Sequence, residues 1–355
     1  MTFKTPPRPC ASPKPNLSGR LLHMDANREI PIDQDYEDAS GEISAFDESS
    51  RTSLASSITQ YRYENGRRYH SYRDGKQIYY PTQGLRWLRS RIGQYWAPND
   101  DQSSIVDTIA HHIFLLTFDD KLFLAPLNNP KRALDVGCGN GIWALDFAEK
   151  YPETEVVATD LSPIQSPVAP PNLRFEIDDC CSAWVYPENS FDYIHIRMLF
   201  ASVADWPALY RECYTHLAPG GYIEHAETTP ITKSDDNSIA PGSMWENQGN
   251  LALAAGEKFG KTFVQIIHMK DQITAAGFVD VTEVRFKWPV GPWSNDQKLK
   301  DLGRWNMHMW EQGLEGWTLA LLTRVMRWSY DQVKDWLRRM RATLLDRRLH
   351  VYQEM

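Results

Sequence analysis

Leu134-Asp135-Val136-Gly137-Cys138-Gly139-Asn140-Gly141 decides the fold. A short apolar run at residues 132–136 leads into it, and a helical pattern at residues 142–150 follows. A strand must therefore turn abruptly into a helix while its backbone approaches a ligand, and glycine permits both the turn and the approach. The spacing is GxGxG, with an acidic residue two positions before the first glycine. A dinucleotide fingerprint would place a third glycine where this chain has Ile142. The alternative is a glycine turn with a structural role alone.

Outward from this loop the chain alternates strand and helix. Residues 155–159, 173–177, 191–196 and 222–227 read as further strands, and residues 206–217 as a helix between the last two. Strands regularly separated by helices predict an α/β fold, a doubly wound, Rossmann-like parallel sheet with helices on both faces. A helix near residues 268–276 leads through Gly277 into residues 278–286, read as an antiparallel strand. Residues 295–348 read as two or three helices rich in Trp, Met and Arg. They are expected to form a cover on a domain spanning 129–355.

Upstream, Ile105, Ile109, His112, Ile113 and Leu116 recur at helical spacing, with residues 99–101 as a cap. His111-His112 has no third ligand at metal spacing, so packing and surface roles are expected and no metal site is assigned. Residues 61–81 are dense in Tyr and Arg, with turns at Asn65-Gly66 and Asp74-Gly75. They read as an arm, either a lid or a packed segment, within an N-terminal unit at 59–128. Residues 1–58 show no apolar periodicity and read as a disordered, solvated tail with nothing to dock.

Composition narrows the class. Hydrophobic residues make up 42% and charged residues 24% of 355, as in a soluble globular enzyme. No apolar run approaches the roughly 18 residues of a membrane span, and no signal peptide opens the chain. Five cysteines without CxxC spacing argue against a disulfide framework and a structural zinc site. The expected compartment is cytoplasmic, with nuclear as the alternative. A net charge of −8 excludes general attraction to nucleic acid.

S-Adenosylmethionine has no pyrophosphate, and the loop suits it: Asp135, Gly137, Gly139 and Gly141 would wrap its amino acid and ribose. Asp160 ends the second strand, 19 residues beyond Gly141, where a carboxylate can accept both ribose hydroxyls. Asp178 or Asp179 ends the third and can accept from the adenine amino group; the sequence leaves the choice open. Arg197 and Met198 follow the fourth strand, Met198 being placed at the cofactor. Glu224, His225 and Glu227 belong to the fifth, and the methyl acceptor is expected beyond these strand ends. His225 is the candidate base, against the alternative of a hydrogen-bonded structural histidine. Trp305, Trp310 and Trp317 could cover an apolar acceptor, or serve packing alone.

The segments LDVGCGNGIWALDFAEKYPETEVVATDLSPIQ, NSFDYIHIRMLFASVADWPALYRECYTHLAPGGYIEHAE and DLGRWNMHMWEQGLEGWTLALLTRV resemble the fungal class I methyltransferases grouped around the LaeA-type regulator. The resemblance runs from about residue 61 to 350. It implies S-adenosyl-L-methionine as cofactor and, as acceptor, a small molecule or modified peptide of secondary metabolism. The other implied role is a nuclear regulator with a protein partner. Residues 82–97 look like an insertion relative to the family. The chain also ends at Met355 where the family continues its last strand, which predicts an exposed sheet edge.

Overall fold

The computed structural model describes residues 28–33, 61–70 and 95–355. β1 (Tyr61–Glu64) and β2 (Arg67–His70) form an antiparallel hairpin closed by Asn65-Gly66. Both turn residues have positive φ, 51° and 79°, the two-residue turn whose twist matches its strands. α1 (Asp101–Thr117) starts at Asp100, whose side chain accepts from the Ser103 N–H, and Arg67 pairs with that same carboxylate, Nη2 to Oδ1 2.7 Å. The hairpin is thereby pinned to the start of the helix. Its buried stripe is Val106, Ile109, Ala110, Ile113 and Phe114. That is about one residue round from the expected stripe, so Ile105 faces outward.

β3 (Arg132–Val136), α2 (Ile142–Lys150), β4 (Glu155–Asp160), β5 (Leu173–Ile177), β6 (Phe191–Arg197), α3 (Trp206–His216) and β7 (Leu217–Ala226) build the central sheet and its flanks. Strand order is β5-β4-β3-β6-β7, and every neighbouring pair is parallel. The chain winds outward from β3 on one side and from β6 on the other. The reversal between them opens a crevice at the carboxyl ends of these two strands, where open α/β sheets bind ligands. Val156, Val157 and Ala158 are fully buried, as a strand covered on both faces requires.

Beyond the sheet come β8 (Thr232–Lys233), α4 (Met244–Phe259), α5 (Met269–Ala275), β9 (Lys287–Pro289), α6 (Gln297–Ala320), a π-helical stretch at Leu321–Val325, α7 (Tyr330–Leu344) and β10 (Tyr352–Glu354). Residues 278–286 are not the antiparallel strand expected; the strand begins at Lys287 and belongs to a separate sheet. That sheet has the order β8-β10-β9 and is antiparallel. The terminal strand therefore lies in the middle of three rather than leaving an edge bare. Met355 is buried and exchanges backbone bonds with Phe286 at 2.8 and 2.9 Å. α4 escaped the sequence reading because Gly249 and Gly256 interrupt its pattern. Its ends carry ordinary signals nonetheless: Ser243 caps the Glu246 N–H, and Gly260 closes it at φ 75°.

Residues 28–33 depart from the expectation of a solvated tail. Ile30 is buried against Trp293, Leu299 and Tyr352. Its N–H donates to Asp235 at 3.1 Å, and Lys287 Nζ donates to the Arg28 carbonyl at 3.0 Å. Ile32 bridges to Ser294. Six residues are too few to show periodicity, which is why the docking was invisible in the sequence. The rest of residues 1–58 lies outside the described residues, as do most of the arm and of residues 82–97. Ile30→Ala should cost about 2–5 kcal/mol, the scale for emptying a buried isoleucine site. Chemical denaturation giving a wild-type midpoint would show that this segment does not contribute to the fold.

Candidate functional site

The glycine loop is held open by its neighbours. Gly137, Gly139 and Gly141 have φ of 71°, 56° and 81°, in the region that only glycine enters without strain. A Cβ on Gly137 would lie 2.5 Å from Leu199, and one on Gly141 2.6 Å from Phe175. The Gly137 and Cys138 N–H groups both donate to the Thr159 carbonyl, at 2.8 and 2.9 Å, tying the loop to the end of β4. Asp160 then takes the Gly139 N–H on one oxygen and the Ser162 N–H on the other, each at 2.9 Å. Burial pushes the Asp160 carboxyl up to about 6.

Asn140 makes the loop part of a larger unit. Its Oδ1 accepts from the Ile142 N–H at 3.2 Å, at the start of α2. Its Nδ2 donates to the Ser104 carbonyl and to Thr108 Oγ1, both at 3.1 Å. Helix α1 is thereby laid over the loop. The sequence reading passed over Asn140, although its place between two loop glycines was the available signal.

Behind the loop, Asp135 and His195 sit on adjacent strands in register. Asp135 Oδ1 is 2.8 Å from His195 Nδ1, and the imidazole stacks on Trp143 at 3.7 Å and 8°. Burial lowers the His195 pKa against the opposing pull of Asp135. The other Asp135 oxygen, Oδ2, is buried with no partner among the described residues. Arg197 donates to His111 Nδ1 at 3.2 and 3.3 Å, and its guanidinium lies 4.8 Å from the Phe114 ring centroid. A guanidinium only donates, so His111 accepts through Nδ1 and its Nε2–H donates to Asp146 at 2.9 Å.

Asp135, Gly137, Gly139, Asp160, Asp178 and Asp179 border one cavity of about 180 Å³, and Met198, the residue after β6, also lines it. Gly141 stands behind that wall, at the start of α2. Asp179 is buried and caps the turn after it, accepting from the Cys181 N–H at 3.0 Å. Asp178 is half-buried at the cavity and receives the Asp179 N–H on Oδ1, at 2.8 Å. The cavity thus offers carboxylates for hydroxyl and amino groups, a buried acceptor awaiting a donor, and a backbone cradle without side chains. A nucleoside carrying a positive charge fits this donor and acceptor set.

A second cavity, of about 60 Å³, adjoins the first. Trp96, Met198, Phe200 and Trp317 line both. Trp310 also borders the second, while Trp305 lines neither, being 40% exposed with its edge on His112. Among the described residues, two buried polar atoms on its wall have no partner, Trp96 Nε1 and Gln248 Oε1. Gln248 belongs to α4, so the helix missed in the sequence supplies a wall.

His225 reaches neither cavity. Its side chain is fully buried, stacked on Trp206 at 4.9 Å. Gln265 donates to the Tyr210 hydroxyl at 3.1 Å, so that hydroxyl donates on to His225 Nδ1 at 2.8 Å. The Nε2–H then faces Glu227 at 3.3 Å. Both ring nitrogens are committed to the protein, and the geometry matches the structural alternative for this residue. Glu224 is equally occupied, accepting from Leu124 and Ala125 N–H groups at 2.9 and 2.7 Å, and burial pushes its carboxyl up to about 7.

Known proteins agree with this architecture. A family model described as a methyltransferase domain matches residues 109–283. Methyltransferase pytC of Aspergillus terreus is 38% identical over 288 residues, covering 81% of this chain and 83% of the relative. Secondary metabolism regulator LAE1 of Cochliobolus heterostrophus is 36% identical over 299 residues, covering 82% and 92%. Protein-methionine methyltransferase laeA of Emericella nidulans is 31% identical over 300 residues, covering 82% and 74%. The chain belongs to this fungal family of S-adenosyl-L-methionine-dependent methyltransferases, which holds pytC and the LaeA-type regulators.

Proposed function

We propose that the protein methylates a small, largely apolar molecule or modified peptide of fungal secondary metabolism, seated in the second cavity. The observation that carries this reading is the shared wall of Trp96, Met198, Phe200 and Trp317, which puts an apolar chamber directly beside the donor cavity. Bound in the first cavity, S-adenosyl-L-methionine would supply an electrophilic methyl on a sulfonium. The protein's part is to hold that group and the acceptor in line, about 3–3.5 Å apart, and to exclude water. In this assignment Asp160 holds the ribose, and Asp178 faces the adenine edge because Asp179 is spent on its turn. The loop of Gly137, Gly139 and Gly141, with Asp135 behind it, takes the methionine part. Trp96 Nε1 and Gln248 Oε1 orient the acceptor through one donated and one accepted hydrogen bond.

A second reading follows from the names of the relatives, since LAE1 and laeA are called a regulator and a protein-methionine methyltransferase. In that case the acceptor is a protein, and a nuclear compartment is the natural expectation.

Asp160→Ala should weaken S-adenosyl-L-methionine binding by about 1–3 kcal/mol; calorimetry returning the wild-type affinity would remove Asp160 from the site. His225→Ala should lower the melting temperature, while the folded variant keeps its donor affinity and methylation rate. A rate loss of about 10²–10⁴-fold without loss of stability would instead restore a base role. The acceptor class is read by incubating the enzyme with methyl-labelled donor and an extract of cells lacking the gene. Label in one low-mass metabolite is the expected result, and label confined to protein would overturn the small-molecule reading.

A further inference from the structure

More carboxylates than cationic side chains line the donor cavity, where the cations are Arg67, Arg197 and Lys261. Asp135, Asp160, Asp178 and Asp179 all reach it, and a fifth carboxylate, Asp107, enters from α1. Arg67 is held by Asp100, Lys261 donates to the Ser202 carbonyl at 2.6 Å, and Arg197 spends its hydrogen bonds on His111 while its charge faces Asp107 and Asp135. Among the described residues no cationic side chain is hydrogen-bonded to Asp107. Its Oδ2 stands 3.0 Å from where a Cβ on Gly139 would be, directly over the loop. Behind the loop, the buried Asp135 Oδ2 has no hydrogen-bond partner among the described residues. The two carboxylates come to the loop from α1 and from β3, and both line the same cavity.

Strand order says which part of the donor reaches that space. With adenine toward Asp178 at the end of β5 and ribose at Asp160 on β4, the remainder must run over β3 toward β6. That remainder is the methionine part, which carries an ammonium. We propose that Asp107 is the counter-ion of the donor's α-ammonium group, so that helix α1 completes the cofactor site by charge. This rests on the donor assignment above and adds to it a residue from outside the strand-end set.

The groups facing Asp107 are Asp160 from β4, Arg197 from β6, Cys138 from the loop, Tyr95 from the segment before α1, and the Asn140 backbone N–H. Burial first, and then Asp160, push its carboxyl up to about 7, while Arg197 and the Asn140 N–H oppose the rise. An incoming ammonium favours the ionised form. Binding near pH 6.5 should therefore release a proton from Asp107, and affinity should rise as pH rises through about 7 and then level off. Asp160, at about 6, also titrates in this range, but it faces the ribose.

Two probes separate these groups: S-adenosylhomocysteine carries ribose and ammonium, and 5′-methylthioadenosine carries the ribose alone. In the wild-type protein, titration calorimetry in phosphate and in Tris at pH 6.5 should show more proton release with S-adenosylhomocysteine than with methylthioadenosine. Asp107→Asn should abolish that difference and weaken S-adenosylhomocysteine about tenfold or more, leaving methylthioadenosine within about threefold, since the charged contact is the only one lost. Equal loss for both probes, or unchanged affinity for both, would overturn the proposal. Should the variant fail to fold, equal proton release for the two probes in the wild-type protein overturns it as well. Neither probe binding the wild-type protein would instead count against the donor site itself.

Discussion

The turn after β3 holds three glycines at positive φ with neighbours packed against them, and the rest of the site depends on that constraint. Leu199 from the end of β6, Phe175 from β5 and Asp107 from α1 each press on a position that a Cβ would occupy. The loop is therefore clamped by elements tens of residues away in sequence, and its left-handed backbone is fixed before any ligand arrives. The bonds from Asp160 to Gly139 and Ser162, and from Asn140 to α1 and α2, then hold each neighbour against the same short segment. A preorganised cradle of this kind spares a ligand the entropy of ordering the chain around it.

What the sequence made legible was whatever is written in local pattern. The parallel strands show as apolar runs, the glycine loop as spacing, and Asp160 as a carboxylate at a strand end. What stayed hidden is set by tertiary contact. His225 reads as a candidate base from its place on β7, yet only the structure shows Tyr210, Trp206 and Glu227 closing around it. β10 reads as a last strand cut short, but its partners β8 and β9, which lie more than a hundred and more than sixty residues earlier, place it in the middle of a sheet. Ile30 belongs to no periodic pattern at all, and it is buried because Trp293, Leu299 and Tyr352 happen to meet there. Long-range pairing of this sort leaves no local trace, since each partner looks like an ordinary loop residue on its own.

Tryptophan shows the same division within one residue type. Trp143 is fully buried and serves as the plate on which His195 lies flat, fixing Asp135 at the loop. Trp310 and Trp317 meet edge to face at 5.5 Å and 89° on the second cavity, a geometry that suits the charge distribution of aromatic rings. Trp310 is anchored further, its Nε1 donating to Gln353 at 2.7 Å, and Gln353 belongs to the terminal strand. The shape of the second cavity thus depends on β10 being in place, and β10 is covered by Ile30. The docking of Ile30 and the wall of the second cavity meet in one strand.

The chemistry left to each chamber follows from its walls. Among the described residues, none that lines the second cavity is ionisable; its polar atoms come from Trp, Gln and Thr, which orient without exchanging protons near neutral pH. Ionisable groups gather instead on the donor side, around a cofactor that itself needs no proton transfer. A base matters in methyl transfer only when the acceptor atom starts protonated. On the proposed reading the walls beside the acceptor therefore supply alignment and dryness, and the nucleophile must bring its own lone pair ready for use. An apolar surround strengthens such a nucleophile by removing the water that would solvate it, while on the same reading the carboxylates next door would stabilise the charge of the donor. On the proposed reading, the separation of a charged chamber from an uncharged one, with four shared side chains between them, lets each do its part without weakening the other.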